Sequence, residues 1–437
     1  MDVELDLDLA MGLVALAVAV YGLVAALLSR YSVSAAFSFL VIGAIIGGAG
    51  IGVMSDELPR GVSLSLLAEV TLALVLFSAA STIRIKRLEM DSPLVGRLLV
   101  IGLPLTIAIG TLLALGLFPG ISFGLALLMG TILAPTDADL GHQVITDRSV
   151  PARIRRILNV ESGLNDGIAA PVVTLAIALA AFGDVGEMNP LIDAVRELGL
   201  AIVIGVAIGA VGRWLLIRAD IRRTSTRSSR QLATLALAMA AYFIAAGFEA
   251  SGFIAAFAAG LAYGVGSKER VEQAVSFTEA QSVLLSILVW LVFGLIVFSE
   301  HVIGLDDPVV ILYALLALTV TRMLPVAIAL IGSGFDKASV AFIGWFGPRG
   351  LASVVFVLLA LEALGEAGVD AGPLGPVVSW TVVLSVVLHG FSARGLASRY
   401  GRFAKGLPEG SPETLGDAEP RRASWTFHDH RTRGLDE

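Results

Sequence analysis

Long apolar runs alternate with short polar segments along most of the chain. A run of about 20 apolar residues is long enough to cross a bilayer as a helix. Counted in this way, the spans are centred near residues 19, 43, 73, 106, 130, 169, 205, 239, 258, 287, 320, 351 and 387. The pattern predicts an all-α polytopic membrane protein with about thirteen transmembrane helices over residues 1–404. Residues 405–437 are rich in Pro, Gly and charge and predict a disordered tail.

The distribution of basic residues supports this count, because a missed span would scramble the alternation of charged loops. Lysine and arginine fall in the odd-numbered loops, as in the cluster from Arg148 to Arg156, whereas the even-numbered loops hold only Arg60. By the positive-inside rule, the odd-numbered loops are cytoplasmic. We therefore expect a protein of the cytoplasmic (inner) membrane with its N-terminus outside and its C-terminus and tail in the cytoplasm.

Composition narrows the possible classes of function. Hydrophobic residues make up 56% of the chain and charged residues 15%, whereas soluble domains carry about 25% charged residues. The chain has no cysteine, which excludes disulfides, thiol catalysis and a Cys-based metal site. Its net charge of −7 is not accompanied by a basic stripe, so membrane lipids and not nucleic acid are expected around it. No cofactor is expected.

Two of the predicted spans are interrupted in the middle of their apolar runs. The fifth contains Pro135 in GTILAPTDADLG, and the twelfth contains Gly347 and Pro348 in GWFGPRGLAS. With an odd number of spans, the first and last sets of six cross the bilayer in opposite directions, which makes these two spans partners in an inverted repeat. Matched breaks are typical of transporter sites, because unwound backbone offers carbonyls and helix dipoles to an ion. The alternative is an ordinary kink in each of two unrelated helices.

The stretch ESGLNDG places two acids at the head of the sixth span. On a helix, Glu161 and Asn165 share one face, while Ser162 and Asp166 form a second column about 100° around the axis. A carboxylate at membrane depth costs at least about 2.5 to 3.5 kcal/mol, so it needs a partner, a proton or a cation. The alternative is that both acids are solvated at the cytoplasmic mouth of the span, which is harder to accept for Asp166 because it lies a turn deeper.

Thr136 and Asp137 directly follow the Pro135 break. An unwound segment at this point would leave backbone carbonyls free beside the Asp137 carboxylate, so both residues are candidate ion ligands. The alternative role for Asp137 is to cap the helix that resumes after the break. Asp139 is interpreted as such a cap or as a loop residue.

Two arginines, Arg322 and Arg349, lie deep within apolar spans and stay charged there. Each is expected to find a carboxylate, and we assign Glu161 to Arg322, with Arg349 as the alternative partner. An acid held in a buried pair cannot cycle protons cheaply, which leaves Asp166 to hold either a proton or a small cation. Mutual exclusion at one carboxylate amounts to exchange. His389 is interpreted as a packed core histidine, with a proton relay as the alternative.

Three segments carry a resemblance to a known family: ESGLNDG, TDADLG after a proline, and GPRGLAS. They resemble the NhaP-type sodium/proton antiporters of the monovalent cation:proton antiporter-1 family, over essentially the whole membrane region. The resemblance implies the NhaA-like fold, in which a core ion-translocation bundle with two crossed discontinuous helices moves against a dimerisation bundle. It also implies a homodimer and a secondary active transporter, not an enzyme, that exchanges Na⁺, or Li⁺, for H⁺ by alternating access.

The resemblance further implies roles for individual side chains. Binding of the ion and the proton falls to Asp166, Asp137, Thr136 and Ser162. A supporting polar network consists of Glu161, Asn165, Arg322 and Arg349. Because Asn165 stands where electrogenic relatives have Asp, a single titrating aspartate implies one cation per proton and an electroneutral exchange.

One departure from the family leaves the preferred ion open. Many relatives carry an acid in the third span, after the Phe of an LLFE-like motif, whereas LVLFSAAST offers Ser78 and Ala79. A K⁺/H⁺ antiporter of the same fold is therefore the first alternative. An intramembrane aspartyl protease using Asp137 and Asp166 is a second, although such enzymes place their acids in YD and GxGD settings and not in TD and ND. A passive channel is disfavoured, because the breaks are accompanied by fixed Arg charges and titratable Asp.

Overall fold

The computed structural model describes residues 7–31, 33–46, 64–83, 93–183, 190–265, 268–297, 307–408 and 410–415. Every regular element within these ranges is helical. Eight helical segments among them are long and apolar enough to cross a membrane, and four further apolar helices are shorter. Arg60 and the part of the predicted tail after Leu415 lie outside the described residues.

The described helices contain all of the predicted span centres. In chain order they are α1 (Leu7–Arg30), α2 (Ala35–Ile46), α3 (Leu64–Thr82), α4 (Pro93–Leu117), α5 (Phe123–Ile132), α6 (His142–Thr146), α7 (Ala152–Phe182), α8 (Pro190–Ile221), α9 (Arg227–Gly247), α10 (Gly252–Gly264), α11 (Lys268–Val297), α12 (Pro308–Leu318), α13 (Val320–Ala329), α14 (Lys337–Trp345), α15 (Leu351–Glu366) and α16 (Leu374–Ala404). Within α4, Leu98–Gly102 forms a π-helical turn. The number of membrane crossings stays a prediction, because several of these helices are too short to cross a membrane alone.

The helices pack into two groups. The site bundle consists of α4–α7 and α12–α16, where α5 packs against α4 and α7, and α12 packs against α16. The flanking bundle consists of α1–α3 and α8–α11, where α10 packs against α3 and α8, and α11 packs against α2 and α3. Each bundle thus draws helices from both halves of the chain, as an inverted repeat requires.

Small residues let the flanking helices approach closely. A β-carbon at Gly260 or Gly264 of α10 would overlap the backbone carbonyls of Phe77 and Ser81 in α3. Even a methyl group at either glycine would force α3 and α10 apart. The glycine spacing in GFIAAFAAGLAYG is therefore a packing feature of this helix pair.

Apolar rings fill part of the contact between the two bundles. Phe253 of α10 meets Phe356 of α15 edge to face, with 6.0 Å between the ring centroids. Phe37 of α2 meets Phe391 of α16 in the same manner at 5.6 Å. Such contacts depend on apolar area and not on a fixed hydrogen-bond register.

Both predicted helix breaks are confirmed. Pro135 lies in the non-helical stretch between the end of α5 and the start of α6, and Gly347 and Pro348 lie between α14 and α15. Proline lacks the N–H that a helix interior needs, which explains why each helix stops there. The two stretches cross, because the Asp137 N–H donates to the Pro348 carbonyl at 2.8 Å.

A short segment after α16 folds back onto the site bundle. Glu413, in the 3₁₀ turn Pro412–Thr414, is only 1% exposed. Its Oε1 accepts from the Asp336 N–H at 2.7 Å and from the Ser339 hydroxyl at 2.9 Å. Residues 410–415, which the composition assigned to a disordered tail, are thus folded at the start of α14, because a buried carboxylate satisfies backbone and side-chain donors there.

Candidate ion-binding site

Arg349 closes the C-terminal end of α5. Its Nη1 donates to the carbonyls of Ala134 at 2.7 Å and Pro135 at 3.1 Å, and its backbone N–H donates to Ser385 Oγ at 2.7 Å. Both carbonyls lie in the unwound break just after Ile132, the last residue of α5, so no helical N–H donates to them and they add to the partial negative charge of the helix end. The expectation that each buried arginine finds a carboxylate is therefore wrong for Arg349. Its guanidinium donates to backbone carbonyls at the end of α5 instead.

Asp137 caps the N-terminal end of α15. Its Oδ2 accepts from the Leu351 N–H at 2.8 Å, while its Oδ1 accepts from the N–H groups of Asp139 at 2.8 Å and Leu140 at 3.1 Å. A β-carbon at Gly350 would overlap the Asp137 carboxylate, so only glycine permits this approach. The cap that the sequence left as an alternative for Asp137 is present, but it stabilises the broken helix of the other repeat.

The two breaks therefore cap each other. The positive charge of Arg349, from the second break, lies at the C-terminal end of α5, and the negative charge of Asp137, from the first break, lies at the N-terminal end of α15. Both signs match the helix dipoles. A further bond joins the same elements, since Ser353 Oγ donates to the Ile132 carbonyl at 2.8 Å. Side-chain charge thus fixes the crossing.

Glu161 and Arg322 form a bidentate ion pair between α7 and α13. Arg322 Nη1 donates to Glu161 Oε1 at 2.5 Å, and Nη2 donates to Oε2 at 2.9 Å. The pair is buried, with 2% of Glu161 and 5% of Arg322 exposed. A β-carbon at Gly347 would overlap the Arg322 guanidinium, so this glycine lets the pair lie against the second break. The geometry gives Glu161 the arginine assigned from the sequence.

A chain of hydrogen bonds joins α7 to the first break. Asn165 Nδ2 donates to Thr136 Oγ1 at 2.7 Å, and Thr136 Oγ1 lies 2.9 Å from Ser162 Oγ. All three side chains are buried. The amide nitrogen of Asn165 donates to Thr136, so the amide oxygen of Asn165 takes no part in this contact. Asn165 and Ser162, which the helical spacing placed in two neighbouring columns of α7, thus both contact Thr136 of the first break.

Two oxygens next to this chain lack a hydrogen-bond partner among the described residues. They are Asp166 Oδ1 and Asn165 Oδ1, and both atoms are buried. Buried polar atoms are normally paired, because an unpaired one loses its hydration without compensation. The carboxylates of Asp137 and Asp139 lie within electrostatic range of Asp166. A cation or a proton would satisfy Asp166, and the neighbouring Asn165 Oδ1 and the hydroxyls of Thr136 and Ser162 are oxygen ligands of the kind that hard cations prefer.

The third span contributes no acid to this site. Ser78 is buried, and its hydroxyl donates back to the Val75 carbonyl of its own helix at 3.1 Å. The side chain of Ala79 has no polar atom. Although α3 packs against α7 and α15, it therefore presents no carboxylate at Ser78 or Ala79, the positions where the family resemblance leads one to expect an acid.

Sequence reasoning missed several residues that organise the site. Ser385 accepts from Arg349 and Ser353 donates to α5, yet a serine in an apolar span gives no local signal of either contact. Gly350 appears in the sequence only as part of the GPRGLAS motif. The requirement for glycine there follows from the Asp137 carboxylate, which a β-carbon at this position would overlap. The ring nitrogens of His389 lie 3.0 and 2.9 Å from the carbonyls of Ser385 and Trp345, which favours the packed interpretation.

Comparison with known proteins identifies the family. The profile of the transmembrane sodium/hydrogen exchanger family matches residues 14–399. The chain belongs to this family. It is 27% identical over 311 residues to Na(+)/H(+) antiporter 2 of Zygosaccharomyces rouxii, a match that covers 63% of this chain and 38% of that relative. It is 25% identical over 354 residues to K(+)/H(+) antiporter NhaP2 of Shewanella sp. (strain ANA-3), covering 80% and 60%. The matched parts span less than two thirds of either relative.

A solved structure supports the fold. The sodium proton antiporter MjNhaP1 from Methanocaldococcus jannaschii superimposes with a TM-score of 0.71 at 23% sequence identity, covering 90% of this chain and 98% of that chain. The predicted NhaA-like fold and the predicted NhaP-type resemblance are confirmed. This member of the sodium/hydrogen exchanger family is a multi-pass membrane protein, and its family is one of transporters and not of catalytic enzymes.

Proposed function

We propose that the protein exchanges Na⁺, or Li⁺, for H⁺ across the cytoplasmic membrane as a secondary active transporter. The observation that carries this proposal is the buried, unpartnered Oδ1 of Asp166 beside the two crossed breaks. The relative from Zygosaccharomyces rouxii, named a Na(+)/H(+) antiporter, supports it. In this proposal Asp166 is the carboxylate that the two substrates share.

Exchange follows from competition for Asp166. A proton on its carboxyl group removes the charge that a cation needs, and a bound cation occupies the oxygen that would receive the proton. Oxygens of Thr136, Ser162 and Asn165 supply neutral ligands to the cation. Asp137 adds negative potential close by, while its own oxygens are engaged by backbone N–H groups at the start of α15.

The exposure of the acids supports access from one side of the membrane. Asp139 is exposed, whereas Asp137 and Asp166 are half-buried. Asp139 is followed in the chain by α6 and the basic segment Arg148–Arg156, which the positive-inside rule assigns to the cytoplasm, with the N-terminus on the opposite side. The protein is then in its inward-facing state, and alternating access requires a second state in which Asp166 opens to the other side.

The two bundles suit different roles in this transport cycle. The site bundle holds the crossed breaks, so it serves as the core ion-translocation bundle. The flanking bundle serves as the dimerisation bundle of a homodimer embedded in lipid. Leu23 of α1 is 87% exposed and Val203 of α8 is 65% exposed, so both helices present apolar surface to the bilayer or to a second copy.

The charges around the crossing support an electroneutral exchange. Glu161 and Arg322 neutralise each other, and Arg349 and Asp137 are held at helix ends of opposite polarity. Asn165 has no proton to exchange. Asp166 alone then alternates between one H⁺ and one Na⁺, so each cycle moves one positive charge in each direction.

A voltage experiment tests this stoichiometry. Proteoliposomes are clamped at different membrane potentials with valinomycin and K⁺, and the steady sodium gradient is measured at a fixed pH difference. An electroneutral exchanger gives the same gradient at every voltage. A gradient that shifts with voltage contradicts the single-carboxylate mechanism and implicates titration of Asp137.

Replacement of Asp166 tests the function itself. Asp166→Asn should fold and insert yet show no sodium-driven proton flux in proteoliposomes, because the amide neither takes up a proton nor balances the charge of a cation. Asp139→Asn is the matched control, since it removes an exposed carboxylate from the same region. Flux near the wild-type rate in Asp166→Asn would overturn the assignment.

Exchange of K⁺ for H⁺ is the second candidate. It is supported by the relative from Shewanella, named a K(+)/H(+) antiporter, and by the absence of an acid at Ser78 and Ala79. Dequenching of a pH-sensitive dye in proteoliposomes, measured for Na⁺, Li⁺ and K⁺ in turn, separates the two. The protease alternative has no such support, because both oxygens of Asp137 already accept backbone N–H groups and are not free to act with Asp166.

A further inference from the structure

A charged cavity lies in the flanking bundle, away from the ion site. It has a volume of about 450 Å³ and lies between the end of α8 and the starts of α9 and α11. Its charged lining consists of Arg227, Arg230, Arg270 and Asp220. Three positive charges and one negative charge leave a net charge of +2. The cavity is therefore suited to an anion.

The arginines of this cavity are unequally engaged. Arg230 donates to Asp220 at 3.0 Å, whereas Arg270 lies 3.8 Å from the same carboxylate, with 57% of its side chain exposed. Arg227 makes no ion pair with any described residue. One carboxylate thus holds Arg230 firmly and leaves most of the donors of Arg227 and Arg270 available.

The apolar residues around the cavity place it at the level of lipid headgroups. Ile217 lines the cavity. Trp214 and Ile221 lie one turn before and one turn after it on the same face of α8. These two side chains are 55% and 73% exposed. The Arg218 guanidinium lies over the Trp214 ring at 5.1 Å. Tryptophan and basic residues concentrate at the membrane–water boundary, so the apolar face of α8 meets the charged cavity at that boundary.

We propose that this cavity binds the headgroup phosphate of an anionic glycerophospholipid. Arg227 and Arg270 donate to the phosphate oxygens, since the guanidinium fork matches phosphate geometry. Asp220 orients Arg230 at the rear of the cavity. The acyl chains run along the exposed face of α8 formed by Trp214, Ile217 and Ile221. That continuous apolar face favours a lipid over a free phosphate, which would have no use for it.

The test measures stabilisation of the purified full chain by added lipid. Phosphatidylglycerol is titrated into detergent micelles, and unfolding is followed by the fluorescence of the five tryptophans. The test variant is Arg227→Gln with Arg270→Gln. The control is Arg222→Gln with Arg223→Gln, which removes the same charge from exposed arginines nearby that do not line the cavity. Phosphatidylcholine and inorganic phosphate are titrated in parallel.

We expect phosphatidylglycerol to raise the unfolding temperature of the wild type and of the control at the same lipid concentrations. The half-saturating concentration of the test variant should rise at least about tenfold, since this variant loses the charge-assisted hydrogen bonds to the phosphate that the control retains. Equal half-saturation in the test variant would overturn the proposal, as would an equal effect of phosphatidylcholine. If inorganic phosphate alone reproduces the shift, the site takes a soluble anion and the lipid assignment is wrong. None of these outcomes depends on ion exchange.

Discussion

Breaking the pair between Glu161 and Arg322 should damage the fold more than the ion site. The pair contains two charge-assisted hydrogen bonds, each worth about 1.5 to 3 kcal/mol. Removing one partner of a buried pair costs about 3 to 5 kcal/mol, because the other charge remains buried without compensation. Arg322 Nε already lacks a partner among the described residues, so the loss of Glu161 leaves this guanidinium almost unsatisfied. We therefore expect Glu161→Gln and Arg322→Ala each to destabilise the protein by about 3 to 5 kcal/mol.

The measurement is a double-mutant cycle on detergent-solubilised protein. Thermal unfolding and yield are compared for wild type, Glu161→Gln, Arg322→Ala, Arg349→Ala and the double variant Glu161→Gln with Arg322→Ala. Because the double variant strands no charge, it should lose less stability than the sum of the two single variants. The control is Arg222→Ala, an exposed arginine whose loss should change stability by less than about 0.5 kcal/mol. Residual exchange by the single variants should retain the sodium half-saturation of the wild type.

Two outcomes would refute this reasoning. If Arg349→Ala alone showed the loss of stability and Arg322→Ala did not, Arg349 and not Arg322 would be the partner of Glu161. If Glu161→Gln unfolded like the wild type and instead weakened sodium binding, Glu161 would belong to the ion site and not to its support.

Two further substitutions probe the crossing and the folded segment after α16. Gly350→Ala should displace the Asp137 carboxylate from the start of α15 and cost about 1.5 to 3 kcal/mol of stability. The control is Gly365→Ala in α15, where a β-carbon meets open space and should not destabilise the protein. Equal unfolding temperatures of the two variants would contradict the capping geometry. Glu413→Ala should release residues 410–415 and make the peptide bond after Lys405 more sensitive to trypsin. Glu413→Gln keeps an acceptor oxygen and should leave that bond as resistant as in the wild type. Unchanged cleavage of Glu413→Ala would show that this carboxylate does not hold residues 410–415 in place.

The parts of the site that follow from local chemistry could be predicted from the sequence. Proline removes a backbone donor and disfavours a continuous helix, so Pro135 and the Gly347–Pro348 pair predicted both breaks. Helical spacing placed Asn165 on the face of Glu161 and Ser162 in the neighbouring column of Asp166, and the cost of a buried charge predicted that Glu161 pairs with an arginine. Each of these inferences needs only the side chain, its neighbours in sequence and the low polarity of a membrane.

The contacts between the two halves of the chain could not be predicted in this way. Asp137 and Leu351 are 214 residues apart, and no local pattern shows that the carboxylate of one break caps the helix of the other. The prediction that Arg349 pairs with a carboxylate was wrong for the same reason. The carbonyls that it contacts follow α5, 214 and 215 residues earlier in the chain, and no local pattern brings them beside Arg349. Composition also placed Glu413 in a tail, because a single buried carboxylate hardly changes the average polarity of its segment.

The mutual capping bears on which parts of the molecule would move in the proposed alternating-access cycle. Separating the two breaks would remove the bonds from Arg349 to α5, from Asp137 to the start of α15 and from Ser353 to Ile132. At about 1 kcal/mol for a neutral bond and 1.5 to 3 kcal/mol for a charged one, that loss amounts to several kcal/mol. The aromatic contacts between the bundles, such as Phe253 with Phe356, re-form after a small shift because apolar packing has no fixed register. For the proposed exchange cycle, we therefore expect the lower-cost motion to carry the site bundle as one body past the flanking bundle, with the crossing intact and Asp166 moved from one side of the membrane toward the other.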